Sequence, residues 1–256
     1  VLHIRKEVHG VSITVRAVVE TTEERLDKFP DMKRPLPTLA LLGLALVPSV
    51  STAQETPDTR ATWFIFLETG KKTPEDKEAV MKMQKGHIAN FGKLHSEKKL
   101  FAAGPLADPS KTKRGIVVVK ANTREEYAGY FQADDYVREG YMTLNAEKAT
   151  VQRSLRSDGI DPSGIEEVRI IQITRPAAAL TAAEMSADHA YLRDLLDRGV
   201  VGAWYTLEGG AVAEVLFCRS TDTAALEATF AHIPSVKAAK AAALIWPQYI
   251  GKGVVP

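Results

Sequence analysis

Apolar and polar positions along the chain change period in blocks. Residues 62–67, Thr-Trp-Phe-Ile-Phe-Leu, form an apolar run rich in aromatic and branched side chains, as a buried strand does. A helix is predicted next. Thr73-Pro74-Glu75-Asp76 is a start signal with proline in the first turn and acids against the positive helix end, and Val80, Met83, His87, Phe91 and Leu94 then recur at three- and four-residue steps. Strands follow near 100–103 and over 115–120, with a turn at Gly104-Pro105 between them. A helix opened by Asn122-Thr123-Arg124-Glu125 and a strand within 141–151 complete the order βαββαβ.

Beyond the turn cluster Ser157-Asp158-Gly159 and Asp161-Pro162-Ser163-Gly164 the same order runs again. The second round has a strand over 168–174, a helix over 181–198 closed by Gly199, a hairpin of 200–207 and 211–218 about Gly209-Gly210, a helix capped by Thr221-Asp222 and a last strand over 243–250. His87-Ile88-Ala89-Asn90 and His189-Ala190-Tyr191-Leu192 take the same place in their helices, the two histidines 102 positions apart. The pattern reads as a tandem duplication of a ferredoxin-like unit over 62–153 and 166–251, joined by a linker at 154–165.

A βαββαβ unit lays both helices on one face of its sheet. Trp63-Phe64-Ile65-Phe66, Ile116-Val117-Val118-Val119 and Val215-Leu216-Phe217 are nevertheless apolar on both faces, so the open face needs a cover. The other repeat is the nearest one. The predicted fold class is therefore α+β, two tandem ferredoxin-like (βαββαβ) repeats forming an α+β barrel within one chain; the competing solution pairs each repeat with another chain, giving a homo-oligomer. Intrachain pairing would enclose a small chamber that His87 looks into.

Upstream of the repeats, Met32-Lys33-Arg34-Pro35 precedes an apolar run, Leu36 to Val47, and then Pro48 and Ser-Val-Ser-Thr-Ala ending at Ala53. These are the three parts of a secretory signal peptide, with cleavage expected after Ala53, and the apolar run is too short to span a bilayer as a helix. The competing reading is a short buried helix, for which Pro35, Pro37, Gly43 and Pro48 are poorly suited. Signal peptides begin chains, so residues 1–31 are read as a non-native upstream extension, and the protein is expected to be secreted or periplasmic, with no membrane partner after cleavage.

Composition then narrows the function. Hydrophobic residues make up 45% and charged residues 25%, a globular profile. Lys+Arg 33 against Asp+Glu 32 gives a formal net charge of +1, so no chain-wide positive field exists to attract nucleic acid. A single cysteine, Cys218, can form neither an intramolecular disulfide nor a cysteine-rich zinc site. No dinucleotide or metal fingerprint is present, and no cofactor is expected. After Ala53 the histidines are His87, His95, His189 and His232. His95 falls among Lys93, Glu97 and Lys98 on a solvated helix face, and His232 is placed to cap a helix C-terminus.

Several of these residues carry a resemblance. His87-Ile-Ala-Asn-Phe-Gly-Lys-Leu, then Leu100, Ala103-Gly104-Pro105-Leu106-Ala107-Asp108, Gly115 and Asp134-Asp135-Tyr136-Val137-Arg138-Glu139-Gly140 resemble the YCII-related family of the dimeric α+β barrel superfamily over most of residues 62–141. Two positions depart from its pattern: Lys98 stands where a glycine ends the helix, and Asp135 stands where proline follows the acid. The second repeat is more like muconolactone-isomerase-like members in Gly202-Ala203-Trp204 and Leu244-Ile245-Trp246-Pro247.

The resemblance implies a cofactor-independent lyase or isomerase moving a proton on a small carbonyl-containing or aromatic-derived substrate, and the signal segment would export it. His87 would be the base or acid and Asp134 its orienter, with the doubled acid leaving Asp135 as the alternative partner. Arg114, Tyr136 and His189 are the candidate substrate-binding residues, Arg114 meeting an anionic group at the cleft mouth. No acid is placed in the sequence to accompany His189, where Ile233-Pro234-Ser235-Val236 takes the place of the acid motif, so the second repeat is expected to have lost the chemistry. Two other readings remain: a non-catalytic small-ligand module in which His87 only hydrogen-bonds, and haem binding through His87 or His189. Structurally, His87 could equally be a core histidine satisfied by one carbonyl.

Overall fold

The computed structural model describes residues 3–8, 11–16, 58–158, 161–175 and 180–256. It divides into two units, 1–58 and 59–256. In the first, β1 (His3–Val8) pairs antiparallel with β2 (Val11–Arg16). The segment read as a signal peptide, 32–53, lies outside the described residues.

The second unit runs β3 (Ala61–Thr69), α1 (Lys77–Ser96), β4 (Leu100–Pro105), β5 (Lys113–Ala121), α2 (Arg124–Tyr130), α3 (Asp135–Arg138) and β6 (Met142–Arg153). It then repeats the plan as β7 (Asp161–Thr174), α4 (Ala182–Asp197), β8 (Ala203–Leu207), β9 (Val212–Cys218), α5 (Thr223–Phe230), α6 (Pro234–Lys237) and β10 (Ala242–Lys252). Its strands form one eight-stranded antiparallel sheet in the order β10-β7-β9-β8-β6-β3-β5-β4. Two repeats thus share one sheet, joined by pairing of β6 with β8. At the opposite seam the edges β4 and β10 meet through the bridge Leu106↔Gln248 and the bond from Ala107 N to Pro247 O at 2.9 Å. The result is an α+β fold whose sheet is nearly closed into a barrel.

Alternation along the strands separates two layers. Phe64, Phe66, Ile116 and Val118 of the first repeat point inward with Val168, Ile170, Tyr205, Val215 and Phe217 of the second, forming one core. Phe64 meets Tyr205 at 5.6 Å and Phe217 at 6.3 Å between ring centroids, so the repeats do cover each other's open faces. Fully burying a side chain of this size contributes roughly 1.5–3 kcal/mol, which an open sheet would forfeit. The intervening residues Ile65, Leu67, Val117 and Val119 face outward with Met83, Leu94 and Phe131, and Ile171, Ile173, Leu216 and Cys218 do the same with Leu192, Leu195 and Phe230.

The expected chamber differs from what forms. The inward face is filled by aromatic and branched side chains, and His87 stands on the other face of the sheet, in the layer under α1.

Local differences have local causes. Helix α1 starts at Lys77, past Pro74, because Asp76 is the N-cap and its carboxylate accepts from Glu78 N and Ala79 N. Gly104-Pro105 is not a turn but the end of β4, paired with Ile116 and Gly115. Gly104 is needed there: a Cβ on it would lie 1.9 Å from Tyr249 O, so this glycine lets β10 approach and close the barrel. Lys98, where the resembling pattern has glycine, itself adopts φ 54 after the C-cap of α1.

Candidate acid–base site under helix α1

His87 sits on the buried stripe of α1 with Met83, Asn90 and Leu94. Asn90 escaped the apolar periodicity because it is polar; its Nδ2 donates to Tyr130 O at 3.0 Å, tying α1 to the end of α2. Across from the histidine is α3, a one-turn helix too short for periodicity to show. Its N-cap is Asp134, whose Oδ1 accepts the Tyr136 N–H at 3.0 Å and whose Oδ2 lies 2.6 Å from His87 Nδ1. Asp134 is fully buried and His87 is 7% exposed. The N-cap role fixes the carboxylate's direction, and the second oxygen is left to face the ring.

Asp135 is not the partner. It lies inside α3, partly solvated, and pairs with Arg138. A carboxylate only accepts, so Nδ1 is the donor of this bond, and in a neutral ring Nε2 holds the lone pair. Nε2 has no hydrogen bond among the described residues, and the His87 side chain keeps 9% exposure. The ring is held by Phe91 at 4.2 Å and by the edge of Tyr136 at 5.6 Å between centroids.

Tyr136 therefore contributes to the site as a wall. Among the described residues its hydroxyl reaches only Val80 O, at 3.5 Å. Burial pushes its phenol up, the Arg114 charge draws it down, and Asp134 adds to the rise. Arg114 is thus electrostatically coupled to the wall of the His87 site while remaining exposed. A register shift in β3–β5, where Leu67 pairs with Gly115 but Glu68 with Lys113, makes Arg114 the extra residue of a bulge, a device that re-aims side chains. Arg114 also lines a depression with Thr69, Leu106, Asp108, Lys111 and Lys113.

The second repeat corrects the sequence reading of His189. The buried residues of α4 are Asp188, Leu192, Leu195 and Leu196, so Asp188, and not His189, takes the inward register of His87. Asp188 Oδ1 accepts the Ser235 N–H at 2.9 Å, an amide near the start of a short helix like the one that Asp134 bonds in the first repeat. The carboxylate has moved from the short helix to the long one. His189 is not without an acid either: its Nε2 lies 3.0 Å from Oε1 of Glu214, a side chain whose other oxygen receives Trp204 Nε1 at 2.8 Å and which pairs with Arg175 at 3.3 Å. Glu214 comes from β9, a strand position that period-two patterning assigns to an apolar side chain.

His95 is exposed, and His232 Nδ1 meets Ala228 O at 2.8 Å at the end of α5. No three metal-ligating side chains come together among the described residues, and no described helix is long and apolar enough to cross a membrane.

No family model matches the sequence, and comparison with the curated proteins gives no match. Among solved structures the chain is similar to a candidate monooxygenase from Fusobacterium nucleatum subsp. nucleatum, with TM-score 0.50 and 9% identity over 77% of this chain and 96% of that one. It is also similar to a variant of chlorite dismutase from Candidatus Nitrospira defluvii in complex with cyanide, with TM-score 0.48 and 13% identity over 74% and 91%. A haem-binding protein from Thermus thermophilus gives TM-score 0.43 and 12% identity over 77% and 94%. At 9% identity the first likeness shows the fold alone.

Proposed function

We propose that the chain is an exported small-molecule lyase or isomerase related to the YCII family, in which His87 takes or gives a proton and Asp134 orients it. One observation carries this reading: a buried carboxylate, locked by its own N-cap bond, lies 2.6 Å from Nδ1 and leaves Nε2 of the same ring unpartnered among the described residues. An orienting acid holds the imidazole in one tautomer and stabilises the imidazolium that forms when Nε2 takes a proton. Arg114 supplies positive charge beside this wall for an anionic or carbonyl-bearing substrate.

The test reads the proton step alone. Wild-type protein is incubated in deuterium oxide with a panel of small ketones, lactones and oxo acids, and deuterium entry at carbon is followed by NMR. His87→Gln is expected to abolish exchange with little loss of ligand affinity, because an amide fills the ring's place without its basicity. If the variant changes affinity and no panel member exchanges on wild type, the protein is a binding module instead. The export half of the proposal rests on 32–53 and is tested by N-terminal sequencing of the secreted protein, expected to begin at Gln54; a residue preceding Met32 would overturn it.

A further inference from the structure

A second reactive group stands on the other side of the same sheet, at the mouth of the barrel. Lys113 opens β5, and the bulge that exposes Arg114 turns Lys113 inward. Its Nζ lies 4.0 Å from the centroid of the Phe66 ring and 5.6 Å from that of Trp246. Its one hydrogen bond among the described residues is to an uncharged group, Gln172 Oε1, at 2.5 Å. No described carboxylate pairs with this amine. Glu68, across the strand pair from Lys113, accepts from Asn145 Nδ2 at 2.8 Å, and Asp108 has its oxygens taken by Ser110 N, Ser110 Oγ and the backbone N–H of Lys113 at 2.8 Å each.

The lysine also borders open space. A depression of about 440 Å³ is lined by Thr69, Leu106, Asp108, Lys111, Lys113 and Arg114, three cations against one acid whose lone pairs are occupied. Beside it, Gln172 is fully buried and its Nε2 donor has no partner among the described residues, on the very amide that anchors Nζ. An N–H without an acceptor at this depth is costly, and an oxygen arriving next to Nζ would satisfy it.

We propose that Lys113 is a condensing amine for small oxo acids: Nζ adds to an aldehyde or ketone carbonyl while the carboxylate of the same molecule lies against Lys111 and Arg114. The neutral amine attacks the carbonyl carbon through its lone pair, forming a carbinolamine. The two amine hydrogens then leave with the former carbonyl oxygen as water, and a C=N bond remains. Gln172 has a donor for the oxygen in the first step and an acceptor that orients the amine. Lysine does such chemistry when its surroundings disfavour the ammonium, which burial does here against the pull of the Phe66 face on the charged form. Desolvation lowers the Lys113 amine below the ordinary lysine value, with Glu68 and Asp108 pulling it back up, so more of it is neutral near pH 8 than of an exposed lysine. Lys113 and His87 lie on opposite faces of the sheet and have Arg114 in common, so trapping at Lys113 is read without any proton step at His87.

The experiment is reductive trapping with glyoxylate and cyanoborohydride, the adduct mapped by peptide mass spectrometry. Labelling of Lys113 is expected to be about tenfold faster than that of the exposed Lys82 and Lys85, and faster with glyoxylate than with propanal. Lys113→Met, which keeps apolar contact with Phe66, is expected to remove the fast phase. Even labelling over all lysines, or no preference for the acid over propanal, overturns the proposal. The distribution on wild-type protein decides this even if the variant does not fold.

Discussion

His87 Nδ1 and Asp134 Oδ2 lie 2.6 Å apart, and the carboxylate that makes this contact is also the N-cap of α3. Orientation of the imidazole and the start of a short helix thus depend on one side chain. Asp134→Asn preserves the cap acceptor but presents an amide that can donate to Nδ1, favouring the wrong tautomer. Proton exchange is expected to fall by about 10²–10⁴ while folding is largely kept. Asp134→Ala removes both bonds and is expected to cost about 2–4 kcal/mol in urea unfolding, because two buried donors lose their acceptor. Equal effects of the two substitutions on stability would show that the cap and the His87 contact are not separable.

Gly104 and Tyr249 define the closing seam of the barrel. A Cβ on Gly104 would sit 1.9 Å from Tyr249 O, a backbone atom that can move only with β10. Gly104→Ala is expected to lower stability by about 1–3 kcal/mol, as overpacking does. Hydrogen exchange locates the damage: the Ala107 N–H, bonded to Pro247 O, should lose protection before amides of the β6–β8 seam.

Lys98 holds a left-handed backbone, φ 54, at the end of α1. Glycine adopts that conformation without a Cβ penalty but has more unfolded-state freedom to lose. Lys98→Gly is expected to stabilise the protein by about 0.5–1 kcal/mol, read as a rise in Tm.

Glu184 provides a pH test. Its carboxylate, hydrogen-bonded by Lys240 and by the backbone and hydroxyl of Thr181, is drawn down to about 2 from an ordinary 4.5. A depressed carboxylate stabilises the fold above its unfolded value and loses that contribution as pH falls through the folded one. Tm is therefore expected to fall between pH 4.5 and 2 by less in Glu184→Gln than in wild type. Because the group is partly exposed, the difference should shrink with added salt.

Much of the fold was legible along the chain. The βαββαβ order repeats because apolar runs, cap residues and glycine turns are local signals, and Asp222, Thr123 and Thr181 cap the helices where their neighbours suggested. The pairing of His87 with Asp134 came from a motif, not from periodicity; α3, the element that aims the acid, is one turn long and leaves no periodic trace. His189 misled for a related reason. Residue identity suggested that it matched His87, whereas burial puts Asp188 in that register and draws Glu214 from a strand further along the chain.

By itself the sequence determined the alternation of strands and helices, the doubling of the plan and the need to cover two apolar sheet faces, since each follows from side chains within a few turns or strand steps of one another. Only the tertiary structure decided that the covered faces fill with rings instead of enclosing a chamber, and that His87 lies in the outer layer. It also placed Lys113 over Phe66 and Trp246 with Gln172 as its partner. Those outcomes depend on which strand lies opposite which, and contacts between residues so distant in sequence are set by the closing of the barrel.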